Sequence, residues 1–389
     1  MGFGGGRLKT DRIAGGTNTT GVDDEVFAMP SGMAIRYDRP AAALADYITG
    51  YHVYRTDTGT EAGQVDWFLP ATANVRIAID AGPIVVSIGR RTYDPLPVAS
   101  LFGPTNQALK AVTHGGVMIG FGISALGWAR LFRRSAGDFR NRIVPLEDVL
   151  GKAFTRDLVA GLQGAPDDAA VAPILDAMLL ARLGPPHADA PQIRQLMEIL
   201  ATDGPTDIAS AAAQLDIPTH ALRRLSVRHF GFPPKMLLLR AWFLRSFVRL
   251  MMAGGEADYT TIDRSYFDAS HFLRDSATFL GMTPRRFMAL TKPFLKASLR
   301  ARNAVLGSPT QVLHDIEKAP ARDAQPRDST RATTAGHFAG RFRDRVLRTG
   351  AEVLPGFLVR PRRPVRGISV SHGRAGRLPV PAGALPTPV

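Results

Sequence analysis

Three side chains that can bind nucleic acid lie at helical spacing in the segment 219–230. His220, Arg223 and Arg224 occupy positions i, i+3 and i+4, so a helix would place them along one stripe of its surface. An arginine guanidinium can donate to both acceptor atoms on a guanine edge in the major groove. Arg228, one turn further along, is expected to contact a phosphate. The stripe therefore predicts a helix that reads DNA.

The elements around this stripe are those of a helix-turn-helix unit. The sequence predicts a first helix over 207–215, a tight turn over 216–218, and a second helix over 219–230 that ends at Gly231. On the second helix, Leu222 and Leu225 are predicted to face the core, together with Val227 or His229.

A second unit of the same kind is predicted over 260–287. Asp268 is a suitable N-cap for a helix over 269–280, which Gly281 would end. Phe272 and Phe279 are predicted to pack inward, and the stripe facing the groove then consists of Ala269, Ser270, Leu273 and Arg274.

The segment between the two units predicts one continuous helix over about 234–252. Nineteen residues of helix span about 28 Å, which is close to the roughly 34 Å between successive major grooves on one face of DNA. A rigid linker of this length would present two recognition helices to the same face of the duplex.

Other chemistries find little support in the sequence. The chain has no cysteine, which excludes a disulfide, a thiolate zinc site and a cysteine nucleophile. His52, His114 and His187 have no carboxylate or histidine at ligand spacing, so neighbouring residues are not expected to form a metal site, although ligands brought together by folding stay open. The Gly-rich segment 2–6 lacks the spacing of a phosphate loop. We expect no cofactor, no metal and no enzyme activity.

The fold class predicted is multidomain α+β. Short runs of β-branched and aromatic residues between Gly and Pro indicate strands at 51–54, 65–69, 74–79, 84–88 and 116–123, and amphipathic periods indicate helices between 152 and 203. The expected domains are a flexible N-terminal segment over 1–40, a β-rich, barrel-like sensing domain over 41–151, a helical connector over 152–203, an all-α DNA-binding domain with two helix-turn-helix units over 204–295, an extension over 296–319 and a disordered basic tail over 320–389.

The charge of the chain also indicates a polyanionic partner, but it is unevenly distributed. The net charge is +14, and thirteen Arg against four acidic residues give +9 in the segment 319–389 alone. The segment 205–290 has eleven basic and seven acidic residues, or +4. The alternative to a specific regulator is therefore a nonspecific nucleic-acid-binding protein that depends on its tail.

The arrangement of these motifs resembles the AraC/XylS family of transcriptional regulators over about 85 residues, 207–290. The matching residues of the first unit are Ala212, Leu222, Arg224, Gly231, Pro234 and Arg240, and those of the second are Asp268, Ser270, His271, Phe272, Arg274, Gly281, Thr283, Pro284 and Phe287. The region 44–151 more weakly resembles an N-terminal domain found in one branch of the family, in DYITGYHVYR, Leu69-Pro70, Gly103-Pro104, GFGISALGWARLF and PLEDVLG.

The resemblance implies a cytoplasmic transcriptional regulator that binds double-stranded DNA, with a small-molecule effector and a homodimer as further possibilities and no membrane association. In the family the first recognition helix makes most base contacts, which maps here to His220, Arg223 and Arg224. Two positions depart from the pattern, since Ser265 replaces a glycine and Ser276 replaces a phenylalanine. Loss of a core aromatic costs about 3–5 kcal/mol at an otherwise unchanged site, so the second unit is expected to be the looser one.

Overall fold

The computed structural model describes residues 17–57, 63–202, 207–253 and 269–314. The start of the predicted second unit up to Asp268, with Ser265, lies outside the described residues, as do the basic tail and residues 1–16 of the predicted N-terminal segment.

The N-terminal region consists of two antiparallel sheets. The strands described are β1 (Met33–Asp38), β2 (Ile48–Thr56), β3 (Gln64–Phe68), β4 (Asn74–Ile79), β5 (Ile84–Ile88), β6 (Arg91–Tyr93), β7 (Ala99–Phe102), β8 (Leu109–Thr113), β9 (Gly116–Ile123) and β10 (Ile143–Pro145). One sheet has the order β1-β2-β9-β4-β7-β10 and the other the order β3-β8-β5-β6. The five strands predicted from the sequence are confirmed, and the expected barrel-like domain takes the form of two packed sheets.

Side-chain alternation explains why these segments form sheets. Along β5, Ile84, Val86 and Ile88 are buried, while the residues between them are half-buried, as expected for a strand with one face toward a core. These side chains form a core with Ile35 of β1 and Leu109 of β8. The two sheets therefore share a hydrophobic interior.

The remainder of the described chain is helical. The helices are α1 (Ala125–Leu131), α2 (Glu147–Leu150), α3 (Lys152–Gln163), α4 (Val171–Arg182), α5 (Ala190–Ala201), α6 (Ile208–Gln214), α7 (Thr219–Phe230), α8 (Pro234–Met252), α9 (Ala269–Leu280), α10 (Pro284–Ala289) and α11 (Pro293–Leu306). None of the helices in the described ranges is both long enough and apolar enough to cross a membrane.

Helix α11 packs against the strands rather than leaving the fold. Its first-turn residue Phe294 stacks on Tyr54 of β2 with ring centroids 4.9 Å apart. The carboxylate of Asp66 in β3 accepts the backbone N–H of Phe294 at 2.7 Å, which satisfies one of the unpaired donors at the start of the helix. The predicted extension over 296–319 thus begins inside a helix that is anchored to the β-rich region.

Candidate nucleic-acid interface

Helices α6 and α7 form a helix, turn and helix in the predicted position. The carboxylate of Asp207 caps α6 by accepting the backbone N–H of Ser210 at 2.9 Å. In the turn, Asp216 has a φ of 50°, a left-handed conformation that aspartate tolerates better than most residues. Gly231 ends α7 with a φ of 85°, where a residue with a side chain would be strained.

Helix α7 has an apolar face and a basic face. Leu222 is completely buried, and Leu225, Ser226, His229 and Phe230 are buried beside it. The four residues of α7 that are predicted to contact DNA are all exposed, and they are His220, Arg223, Arg224 and Arg228. Within the described ranges, no carboxylate lies within 4.0 Å of any of the three guanidinium groups. The basic stripe is therefore free to bind an anionic partner.

Helix α9 has the second predicted stripe on its outer face. Ser270, Leu273 and Arg274 are exposed, and Leu273 shows 41% of its surface to solvent. Phe272 and Phe279 pack inward against Phe243 of α8, with ring centroids 5.5 Å and 5.1 Å apart. Of Ala269 the structure describes only the backbone, so its predicted contact stays untested.

Ser276 shows how the second unit accommodates the absence of a phenylalanine. Its side chain is fully buried, and its hydroxyl donates to the backbone carbonyl of Met282 at 2.8 Å. This bond joins α9 to the turn before α10. The hydroxyl is satisfied, which avoids the cost of an unpaired buried polar group.

Helices α7 and α9 are both attached to the β-rich region, a contact that local sequence patterns did not predict. The hydroxyl of Ser135 donates to the carbonyl of Val227 in α7 at 3.3 Å. At the end of α9, the backbone N–H of Ala108 donates to the carbonyl of Phe279 at 2.7 Å. The partners in these pairs are far apart in sequence, so helical periodicity contains no signal for them.

Arg240 of α8 makes a third connection to the β-rich region, and it is deeply buried. Its side chain is 2% exposed, and its Nη1 donates to the carbonyls of Thr105 at 2.7 Å and Ala71 at 3.4 Å. Burial lowers the pKa of Arg240 to about 10, so it stays charged at neutral pH. A charged residue within the apolar sequence LLLRAWFL was the one signal that could have identified this contact.

Apart from the basic stripe of α7, two arginines face a cavity between β2, β4 and α11. Its lining includes Arg76, Arg302, His52 and Tyr54. Both nitrogens at the tip of Arg302 donate to the carbonyl of Thr49, at 3.3 Å and 3.2 Å, and burial lowers the pKa of Arg302 to about 10. Burial, with Arg76 and Arg302 nearby, holds the pKa of His52 well below its usual value, so this imidazole is neutral.

Neither of these arginines has an acidic partner in the described part of the chain, where no carboxylate lies within 4.0 Å of either. The guanidinium of Arg76 lies instead 4.7 Å from the ring centroid of Phe68, and its Nε donates to the side-chain oxygen of Asn74 at 3.1 Å. Two arginines with no carboxylate within 4.0 Å in the described residues therefore line one cavity that is partly open to solvent.

The prediction that His187 has no carboxylate at ligand spacing is wrong. Asp189, two residues along, brings its Oδ2 to 3.8 Å from Nδ1 of His187. Folding then adds His229 of α7, whose Nε2 is 3.0 Å from the same oxygen. Burial lowers the pKa of His229, and the bond to Asp189 partly opposes this.

Comparison with known proteins gives structural neighbours only. No protein-family model and no curated protein matches the chain. The ToxT protein of Vibrio cholerae O395 bound to (E)-4-(8-methylnaphthalen-1-yl)but-3-enoic acid is 11% identical, with a TM-score of 0.34 over 61% of this chain and 96% of that one. Wild-type ToxT of strain SCE256 with bound unsaturated fatty acid is 9% identical, with a TM-score of 0.35 over 61% and 93%.

Because these identities and TM-scores are low, the likeness to ToxT carries no conclusion about function. The function of this chain is therefore argued from its own residues.

Proposed function

We propose that the protein is a sequence-specific DNA-binding transcriptional regulator of the AraC type, with α7 as its main reading helix. The observation that carries this proposal is the exposed stripe of His220, Arg223, Arg224 and Arg228 on a helix whose opposite face is buried. A stripe of this kind fits the major groove, where guanidinium groups can bond to guanine edges and to phosphates.

Helix α8 supports the placement of a second helix in the next groove. It contains 19 residues and is therefore about 28 Å long, and α9 packs on its Phe243. With Leu273 prominent on its surface, α9 has few hydrogen-bond donors to offer. We expect α9 to contribute affinity and register, and α7 to contribute most of the specificity.

Selection of bound fragments from genomic DNA by the purified protein tests this proposal. We expect a common sequence containing two half-sites about one helical turn apart, with binding that weakens as salt concentration rises. Fragments bound without any sequence preference would contradict a specific regulator. Deleting the segment 320–389 separates the alternative, because a nonspecific binder that depends on its tail would lose its binding, whereas a specific regulator would keep its sequence preference.

We further propose that an anionic effector modulates the regulator through the cavity lined by Arg76 and Arg302. Buried charges are costly unless they are paired, and the buried Arg302 and half-buried Arg76 have no carboxylate within 4.0 Å in the described residues. A small carboxylate would pair with them, while Tyr54 and Phe68, which also line the cavity, would accept its apolar part. Such a ligand would sit against α11, the helix that follows the DNA-binding units.

Thermal unfolding with hexanoate as the probe tests the effector site. A ligand at about 100 times its Kd stabilises a protein by roughly 2.7 kcal/mol, so we expect hexanoate to raise the Tm and hexan-1-ol, its uncharged analogue, to raise it much less. Arg76→Gln should remove the difference, and Arg156→Gln, at an exposed position of α3, should preserve it. An equal rise of the Tm in the wild type and in Arg76→Gln would contradict the proposal.

A further inference from the structure

A Pro-rich loop meets the last turn of the reading helix α7. The loop over 184–189 connects α4 to α5, and the backbone N–H of Gly184 ties its start to the carbonyl of Arg130 at 3.2 Å. Its other end contains His187 and Asp189, which face His229 of α7. The three side chains come from segments up to 42 residues apart and converge at this contact.

The three groups offer ligand atoms to one point. One nitrogen from each histidine and one carboxylate oxygen all lie within 4.8 Å of one another. Oδ2 of Asp189 is 3.0 Å from Nε2 of His229 and 3.8 Å from Nδ1 of His187. The two imidazole rings meet edge to face with centroids 4.9 Å apart.

The side chain of His187 has its unprotonated nitrogen at Nδ1. This atom accepts the backbone N–H of Asp189 at 3.1 Å, so it carries no proton, and a metal ion bound there would replace this hydrogen bond. A hydrogen bond between His229 and Asp189 would by itself satisfy these two residues without a second imidazole. Because His187 also lies near Oδ2 of Asp189, the three side chains together offer three ligands for a metal ion.

We propose that His187, Asp189 and His229 bind one divalent transition-metal ion of the zinc type. Two imidazole nitrogens and a carboxylate oxygen are a donor set that Zn²⁺ accepts, at metal–ligand distances of about 2.0–2.2 Å. Tetrahedral ligands at that distance are roughly 3.3 Å apart, so side-chain movements of about 1 Å complete the geometry. On binding, the single ring proton of neutral His229 moves from Nε2 to Nδ1, and the metal binds the lone pair that this leaves at Nε2, with no net release of a proton.

The exposure of the three ligands leaves one coordination position of the ion open to solvent, as in zinc sites with three protein ligands. The side chain of His229 is 2% exposed, whereas His187 and Asp189 are 25% and 40% exposed. The buried ligand His229 would therefore hold the ion against α7, and a water molecule would complete the coordination on the solvent side. The ion would fasten the loop before α5 to the reading helix, one residue after Arg228.

Titration of the tag-free, metal-free full chain with Zn²⁺ tests the site. We expect one Zn²⁺ per chain by calorimetry, a rise of the Tm with bound Zn²⁺, and no binding of Mg²⁺, because Mg²⁺ prefers oxygen ligands in an octahedral arrangement. Co²⁺ in place of Zn²⁺ should give the visible absorption of a four-coordinate site.

Variants of His187 and Asp189 test the site without disturbing the fold, because both side chains are partly exposed. His187→Ala and Asp189→Asn should weaken Zn²⁺ binding by more than the roughly 10- to 100-fold that loss of a supporting residue costs, with unchanged circular dichroism. His114→Ala, a histidine in the turn between β8 and β9, is the matched control and should bind Zn²⁺ like the wild type. Absence of stoichiometric Zn²⁺ binding in the wild type, or equal affinity in His187→Ala, would overturn the proposal.

Discussion

Arg223→Ala should weaken binding to the selected DNA by about 1–3 kcal/mol and relax the base preference at one position, as expected for loss of a guanidinium that bonds to a guanine edge. Arg223 is exposed on α7 and has no carboxylate within 4.0 Å in the part of the chain that the structure describes. Its removal therefore leaves the packing of α7 intact. Competition binding against DNA substituted at each position of the half-site measures both effects.

Leu273→Ala is the matched comparison on α9. Leu273 is 41% exposed and can make only apolar contacts with DNA, so its truncation should cost clearly less and should not alter base preference. Arg156→Ala removes an exposed positive charge from α3 and controls for net charge. Equal losses from Arg223→Ala and Leu273→Ala would show that the two helices do not divide affinity and specificity as proposed.

Arg240→Ala should lower the free energy of unfolding by about 3–5 kcal/mol, within the range seen for large buried side chains. Two effects combine. The change opens a cavity beside α8, and it leaves the carbonyls of Thr105 and Ala71 without their donor. Denaturant unfolding followed by circular dichroism measures the loss.

Two further variants divide this effect. Arg240→Met keeps most of the volume and removes the charge and the hydrogen bonds, so it should cost less than Arg240→Ala. Arg249→Ala removes an exposed arginine from the same helix and should change stability by less than about 0.5 kcal/mol. If Arg240→Ala were as stable as Arg249→Ala, the bonds of Arg240 to the β-rich region would contribute nothing to the folded state.

The sequence was sufficient for features that repeat locally. The strands β2 to β5 and β9 follow from runs of β-branched and aromatic residues, and α5 buries Ile193, Leu196 and Leu200 as its period predicts. The short strands β6 and β10 have three residues each, which is too few for a period to show.

Contacts between distant segments could not be predicted in this way. Arg240 and its acceptor Thr105 are 135 positions apart, and His229 and Asp189 are 40 apart. Each residue alone has an ordinary local explanation, as a helix residue or a loop residue. Only the fold shows that the buried arginine has backbone acceptors and that the histidine has a carboxylate and a second imidazole.

The cap on α11 has a consequence for how the chain acquires its structure. Asp66 and Phe294 are separated by 228 positions, so α11 lacks this cap until an early strand is in place. Contacts between residues so far apart in sequence slow folding, because the entropy of closing the long loop between them is lost before the contact adds any stability. The region after residue 204 therefore does not behave as a detachable module. We expect the chain from β1 to α11 to unfold in one cooperative transition.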